Sequence, residues 1–276
     1  WEADLGDEAG NVTPLVAGDQ VIASASDPLL VQALDAATGA VRWTVDDVWF
    51  TEPPVVVGDT VVIETGVQVT ALALADGSVR WETPLDDLTL WSGLVPAGDL
   101  LVAGTSEGKV AAFEAATGAI RFVTPVPRGD LTVWGVAVVG GTAIAVDDDD
   151  SLTGVSLADG SVAWALNAHA RFPPSVAALG PDAAVWLDTG ELLVLDPATG
   201  AERRRLRDGS GAMLTLPRGD TSLLVVAGGG ALRALAPDGT QAWSTSLPVD
   251  AQGIAAAGDV LAVTDFEGNV AAYRLR

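Results

Sequence analysis

The sequence predicts an all-β chain built from seven similar four-stranded units. A turn glycine returns at intervals of 38, 41, 42, 40 and 39 residues, at Gly39, Gly77, Gly118, Gly160, Gly200 and Gly239. Each glycine is flanked by short runs of strand-forming residues, and no segment shows a sustained helical period with caps. A repeat of about 40 residues with four strands is typical of a propeller blade. The fold class we predict is therefore a seven-bladed β-propeller.

The outer hairpin of each unit is its most regular part. The phrase ALDAATGAVRW at 33–43 returns at 71–81, 112–122, 154–164 and 234–243, with a weaker copy at 194–204. Asp35 can accept hydrogen bonds from the next backbone N–H groups, while the turn glycine supplies a positive φ. Two copies carry the aspartate beside the glycine instead, as Asp76 and Asp159. We expect the aromatic residue four positions after the glycine to pack against the neighbouring blade.

The inner half of each unit precedes this hairpin as two apolar runs joined by a glycine turn. PPVVVGDTVVIE at 53–64 and GLVPAGDLLVAG at 93–104 are examples. They predict two antiparallel strands with a tight turn between them. Each blade therefore has an innermost strand A, followed by B, C and an outer strand D.

The two ends of the sequence predict how the ring closes. Trp1 lies 42 residues before Trp43, and the segment GNVAAYRLR at 268–276 is a C strand with no D strand after it. We predict that residues 1–6 supply the missing outer strand of the last blade, which removes a free sheet edge. The aromatic positions are then 1, 43, 81, 122, 164, 204, where arginine stands, and 243. Residues 1–276 form a single domain in this prediction.

The composition excludes several classes of ligand and structural feature. The net charge of −23 argues against a nucleic-acid ligand, which needs a basic stripe. The absence of cysteine excludes disulfides and thiolate-bound metal. No run is long enough for a membrane helix, and the chain has neither a signal peptide nor an initiating methionine. We expect a mature or excised segment that reaches a membrane only through an anchor or neighbouring domain outside this chain.

The repeated phrase resembles the PQQ-like (pyrroloquinoline-quinone-like) β-propeller repeat almost residue for residue. The resemblance covers essentially the whole chain and favours the BamB-like or sensor-domain type over a quinoprotein dehydrogenase. It implies an extracytoplasmic location, periplasmic or on the cell surface. Quinoprotein dehydrogenases are longer, have more blades, and hold calcium and a catalytic aspartate.

The inner strands argue against an enzyme. The segments 13–18, 53–58, 93–98, 135–140, 175–180, 214–219 and 253–258 contain no carboxylate, histidine or lysine. Acid–base catalysis needs such a group facing the substrate. We therefore predict no catalytic residues, no cofactor and no metal. The acidic run at 147–150 is interpreted as a solvated turn, and His169 as a residue packed in a loop.

Aromatic residues outside the repeat are the candidate binding residues. Trp49, Trp91 and Trp134 precede the A strands of consecutive blades, and Phe172 takes the corresponding place in the next. The predicted site also includes Phe50 and Arg171. One hypothesis is a D–A loop surface that binds a protein or peptide partner, as a scaffold or as the sensor portion of a larger protein. The alternatives are a small organic ligand, such as a quinone, or a core that plugs the channel. Trp186 is predicted to be core.

Overall fold

The computed structural model describes residues 1–3, 13–26, 29–48, 52–170, 176–207, 212–218, 221–228, 230–247, 251, 253–257, 260–265 and 269–274. Within these ranges every regular element is a β-strand, and there is no helix that could span a membrane. The strands form seven antiparallel sheets that follow one another along the chain. Chain contacts group them into two compact units, Trp1–Val133 and Trp134–Arg276.

The first unit contains three four-stranded sheets, each in the order in which its strands occur in the sequence. The first sheet comprises β1 (Thr13–Ala17), β2 (Gln20–Ser26), β3 (Leu29–Asp35) and β4 (Val41–Asp46). The second comprises β5 (Val55–Val57), β6 (Thr60–Glu64), β7 (Gln68–Ala73) and β8 (Val79–Pro84). The third comprises β9 (Val95–Ala97), β10 (Leu100–Gly104), β11 (Lys109–Glu114) and β12 (Ile120–Pro125).

The second unit contains three sheets of four strands and one of three. The fourth sheet comprises β13 (Val133–Val139), which begins at the last residue of the first unit, β14 (Thr142–Asp147), β15 (Ser151–Ser156) and β16 (Val162–Asn167). The fifth comprises β17 (Val176–Leu179), β18 (Asp182–Trp186), β19 (Glu191–Leu195) and β20 (Glu202–Arg207). The sixth comprises β21 (Ala212–Arg218), β22 (Thr221–Gly228), β23 (Ala231–Leu235) and β24 (Gln241–Ser246). The seventh comprises β25 (Gly253–Ala257), β26 (Val260–Thr264) and β27 (Val270–Arg274).

These sheets confirm the predicted fold class, an all-β, seven-bladed propeller of antiparallel blades. Each sheet is a meander of neighbouring strands, as the short turns in the sequence require. Residues 4–12 lie outside the described residues, so closure through residues 1–6 stays a prediction. The single-domain organisation of residues 1–276 also stays a prediction.

The outer hairpins form as their turn chemistry predicts. In the first blade, the carboxylate of Asp35 accepts hydrogen bonds from the backbone N–H groups of Ala37 at 3.1 Å and Thr38 at 2.8 Å. Gly39 has φ +73°, a conformation that a side chain disfavours. In the second blade, Asp76 caps the turn instead by accepting from the Ser78 N–H. The capping group moves along the sequence, and the turn is kept.

The repeated tryptophans join one blade to the next. The Trp43 indole N–H donates to the Leu74 carbonyl at 2.8 Å, and its ring lies over Gly77, where an added Cβ would be 2.8 Å from the ring. Trp81 and Trp164 make the corresponding bonds to Ala115 and Pro197. The prediction that these aromatic residues pack on the neighbouring blade is confirmed for all three.

Apolar side chains fill the space between sheets inside each unit. One cluster joins the first two sheets through Ile22, Val61 and Ile63, all at most 1% exposed. Another joins the fifth and sixth sheets around Trp186, which is 1% exposed, so its predicted place in the core is confirmed. The B and C strands supply most of this core.

Candidate binding site

Trp91 lies on a connection that the neighbouring sheet holds in place. Its backbone N–H donates to the Gly104 carbonyl at 2.8 Å, and the preceding Leu90 forms a β-bridge with Thr105. The buried Leu90 and Leu94 anchor the two sides of this loop. Trp91 itself is 45% exposed, whereas the repeat tryptophan Trp43 is 7% exposed. An exposed indole on a fixed backbone offers contact area with little ordering cost.

Two carboxyl groups lie close to this loop. The side chain of Glu52 packs against Gly93, where an added Cβ would be 3.5 Å from Glu52 Cγ. Glu64, at the end of β6, is 3% exposed and accepts a hydrogen bond from the Gly66 N–H. Burial raises the pKa of both carboxyl groups, and the charge of Glu52 raises the pKa of Glu64 further. Both groups therefore hold a proton more readily than an exposed glutamate does.

Trp134 occupies a different setting from the one that the sequence predicts. We expected a loop residue, but Trp134 is the second residue of the inner strand β13, because this strand begins at Val133, two residues before the apolar run at 135–140. Its indole N–H donates to the carboxylate of Asp148. Trp134 also lines a cavity of about 190 Å³ together with Val146, Asp147, Asp148 and Asp150. The residue is half-buried, so part of its ring faces this cavity.

The acidic run at 147–150 is built as a turn. Asp147 accepts hydrogen bonds from the backbone N–H groups of Asp149 and Ser151, both at 3.0 Å. Asp148 and Asp149 are exposed, in agreement with the solvated-turn interpretation. Across the described part of the chain, no group of three or more histidine, aspartate or glutamate residues is arranged to hold a metal ion.

The remaining predicted site residues cannot be compared with Trp91 and Trp134. Trp49, Phe50, Arg171 and Phe172 lie outside the described residues. His169 is exposed with φ +52°, and its carbonyl accepts a hydrogen bond from the Asp188 N–H at 3.0 Å. His169 is thus part of the loop through its backbone, while its side chain faces solvent.

A second cavity lies along the inner strands of the second unit. It has a volume of about 490 Å³ and is lined by β21 and β25, through Leu214, Thr215, Leu216, Pro217, Ile254, Ala255 and Ala256. The hydroxyl of Thr215 faces β17, where it donates to the Ala178 carbonyl at 2.9 Å and accepts from the Ala178 N–H at 3.0 Å. The other lining side chains are apolar, and the backbone of the two strands supplies polar groups, a combination that suits an uncharged organic molecule.

The sequence analysis did not predict a set of ion pairs. They lie at the A–B and C–D turns, at the ends of the blades opposite to the D–A connections. Arg42, the residue before the repeat tryptophan, contacts Asp19 at 2.7 Å and Asp35 at 2.6 Å. These bonds lower the pKa of Asp35 well below its usual range, with the Arg42 hydrogen bond as the largest cause. The signal was available, because arginine stands three residues after the turn glycine in four of the six copies.

The fold and the blade junctions define a propeller of PQQ-like type, and comparison with known proteins gives the family. Residues 1–89 and 87–213 match the family described as Outer membrane protein assembly factor BamB. The chain therefore belongs to this family, and the PQQ-like, BamB-type resemblance is confirmed. No curated protein matches the chain.

Solved structures share the fold at low sequence identity. BamB from Moraxella catarrhalis is 17% identical, with a TM-score of 0.69 over 97% of this chain and 85% of that one. The computationally designed Ika8 protein is 12% identical, with a TM-score of 0.70 over 97% of this chain and 84% of its own. BBS1N, solved in complex with ARL6DN, is 16% identical, with a TM-score of 0.69 over 96% and 91%.

Proposed function

We propose that this protein is a non-catalytic binding module that holds a protein partner through its D–A connections, in an extracytoplasmic compartment. The observation that carries the proposal is the exposed indole of Trp91 on a connection fixed by β-bridging and backbone hydrogen bonds. Aromatic residues on rigid supports are the side chains that dominate protein interfaces. Trp134, with its half-buried ring, is the candidate contact of the second unit.

The comparisons support the same class of function. The family is described as an outer membrane protein assembly factor, and the similar BBS1N structure contains a protein partner. Both descriptions name a protein that works together with other proteins, which supports a protein partner for this chain. The outer-membrane setting of the family supports the proposed extracytoplasmic location.

The test is partner capture by the intact protein and by variants. The protein is cross-linked to a native envelope fraction, and captured proteins are identified by mass spectrometry. We expect Trp91→Ala to lose the partner while the free energy of unfolding falls by much less than in Trp43→Ala, because Trp91 is 45% exposed and Trp43 is 7% exposed. Trp91→Phe should keep most of the binding.

Trp43→Ala is the matched control for stability. The Trp43 ring is buried against the next blade, so its removal should cost roughly 3–5 kcal/mol. A Trp91→Ala protein that captures the same partners as the wild type would overturn the proposal. So would a loss of stability as large as that of Trp43→Ala, because it would assign Trp91 to the core.

A small organic ligand is the second candidate function, and the cavity of about 490 Å³ along β21 and β25 favours it. Native mass spectrometry of the protein purified under mild conditions tests it. A bound organic molecule that denaturation releases, and that Ala255→Phe excludes, would support this candidate. An unloaded protein would count against it.

A further inference from the structure

Four outer strands share one ion-pair arrangement. In each, the arginine three residues after the turn glycine reaches an acidic residue at the end of the C strand, an acidic residue in the A–B turn or at the first position of strand B, or both. The pairs are Arg42 with Asp19 and Asp35, Arg80 with Asp59, Arg121 with Glu114, and Arg203 with Asp182 and Asp196. These strands, β4, β8, β12 and β20, therefore carry charge along the rim of the sheet.

The fourth sheet has no charged residue at any of the three positions that form these ion pairs in the other sheets. Ala163 stands where the other blades carry arginine, Ser156 stands at the end of the C strand, and Gly141 stands in the turn between strands A and B. Each replacement is small and uncharged. The outer strand β16, of sequence VAWALN, contains no charged residue at all.

The outer edge of β16 is apolar as well as uncharged. The strand pairs with β15 on one side and is the last strand of its sheet, so no described strand pairs with its other side. Val162, Ala163 and Ala165 are exposed. The other uncharged outer strand, β24, presents serine and threonine after its tryptophan. Among the described outer strands, β16 alone combines an uncharged sequence with alanine at these positions.

A strand edge without such protection can pair with a strand of another chain. An edge strand presents unpaired backbone N–H and C=O groups, and proteins block such edges with charged residues or proline. Here β8 and β12 end in proline and carry charge, and β20 carries four arginines. The edge of β16 has neither protection, in a protein whose net charge is −23.

We propose that the outer edge of β16 binds an extended, uncharged segment of a protein partner by strand addition. This proposal rests on the proposed function: it takes the protein partner proposed above and adds the chemistry of the segment that binds β16. Backbone hydrogen bonds give affinity in this mode, and the side chains of the added strand give specificity. Ala163 and Ala165 leave room beside the edge for the β-branched residues that favour extended structure.

Net charge decides against a second copy of this chain as the occupant. Each copy carries a net charge of −23, so two copies brought edge to edge would repel one another. A partner segment without acidic residues escapes this repulsion. The predicted occupant is therefore a heterologous strand, and sedimentation of the protein alone should show a monomer.

The experiment uses a fluorescent, capped peptide of alternating threonine and valine, titrated against the intact protein and followed by anisotropy. Ala165→Lys places a charge on the edge of β16, and we expect it to weaken peptide binding by at least about tenfold. Ser244→Lys is the matched control, since each substitution directly follows the tryptophan of its outer strand. It should leave the affinity unchanged within about twofold.

Three results would overturn the proposal: no binding of the peptide, equal losses in both variants, or retained binding when alternate amides of the peptide are methylated. Thermal unfolding of each variant checks that β16 is still folded. The two proposals fail separately. Capture that depends on Trp91 with no peptide binding would reject strand addition alone, whereas peptide binding at β16 without Trp91-dependent capture would reject the D–A site alone.

Discussion

At the scale of single residues, one position explains how the blades are joined. In the first, second and fourth blades, the tryptophan four residues after the turn glycine donates to a carbonyl at the next turn, as Trp43 does to Leu74. Arg204 occupies this position in the fifth blade and donates to the Pro237 and Asp238 carbonyls at 2.5 and 2.7 Å. The guanidinium thus replaces both the indole N–H and its ring over Gly239.

This replacement leads to a prediction for Arg204. Arg204→Met keeps a long apolar chain but removes both hydrogen bonds, so it should lower the free energy of unfolding by about 1.5–3 kcal/mol. Arg204→Trp should recover most of that loss, because the Pro237 carbonyl remains available to an indole N–H. Urea unfolding followed by tryptophan fluorescence measures both variants. Equal stability of the methionine variant and the wild type would contradict the role assigned to Arg204.

At the scale of the element, charged side chains tie four of the outer strands, β4, β8, β12 and β20, back to their own sheets. In the second blade, Arg80 donates to both carboxylate oxygens of Asp59, at 2.6 and 2.5 Å, and to the Thr60 hydroxyl at 2.7 Å. The bond from Arg80 lowers the pKa of Asp59 to about 2. The pair joins strand D to the turn between strands A and B, across the whole width of the blade.

This pair predicts a defined response to acid. The pKa of Asp59 is lower in the folded protein than the ordinary value of 3.8, so its stabilising contribution is complete above that value. The contribution is lost as the pH falls through about 2. Because the pair is solvated, we expect a modest effect. Arg80→Gln should remove this part of the acid dependence, measured as the unfolding midpoint between neutral and strongly acidic pH; an identical pH profile would contradict the prediction.

At the scale of the whole molecule, the N-terminal residue takes part in the blade-joining pattern. The Trp1 indole N–H donates to the Ala36 carbonyl at 3.0 Å, and its ring lies over Gly39, as Trp43 lies over Gly77. Trp1 therefore occupies the place of an outer-strand tryptophan against the first blade. This contact supports the prediction that residues 1–6 serve as the outer strand of the last blade.

Deletion of residues 1–6 tests this role. We expect a loss of stability on the order of 3 kcal/mol, from the removed ring contact and the lost ladder hydrogen bonds. Trp1→Ala alone should cost less, because the ring is 60% exposed and the strand would remain. Differential scanning calorimetry compares the three proteins. An unchanged melting temperature after deletion would exclude closure by this segment.

The sequence by itself determined the repeat, the turns and the blade junctions. These follow from short-range rules: Asp35 and Gly39 fix a turn within a few residues, and alternating apolar residues fix which face of a strand is buried. Because the same rules act in every copy, the spacing of the turn glycines was enough to predict the fold. The buried place of Trp43 followed from its position in the repeat.

Only the tertiary structure decided what the residues outside the repeat do. Trp91 and Trp134 look alike in sequence, yet one is exposed on a bridged loop and the other lies in strand β13 with its N–H bonded to Asp148. The link from Arg42 to Asp19 spans 23 residues, so the recurring arginine marks one end of the pair but does not reveal its partner. The edge of β16 lacks ion pairs because Gly141, Ser156 and Ala163 are all uncharged, and these three positions come together only when the sheet forms. Contacts between distant parts of the chain depend on packing, and a single sequence does not reveal that packing.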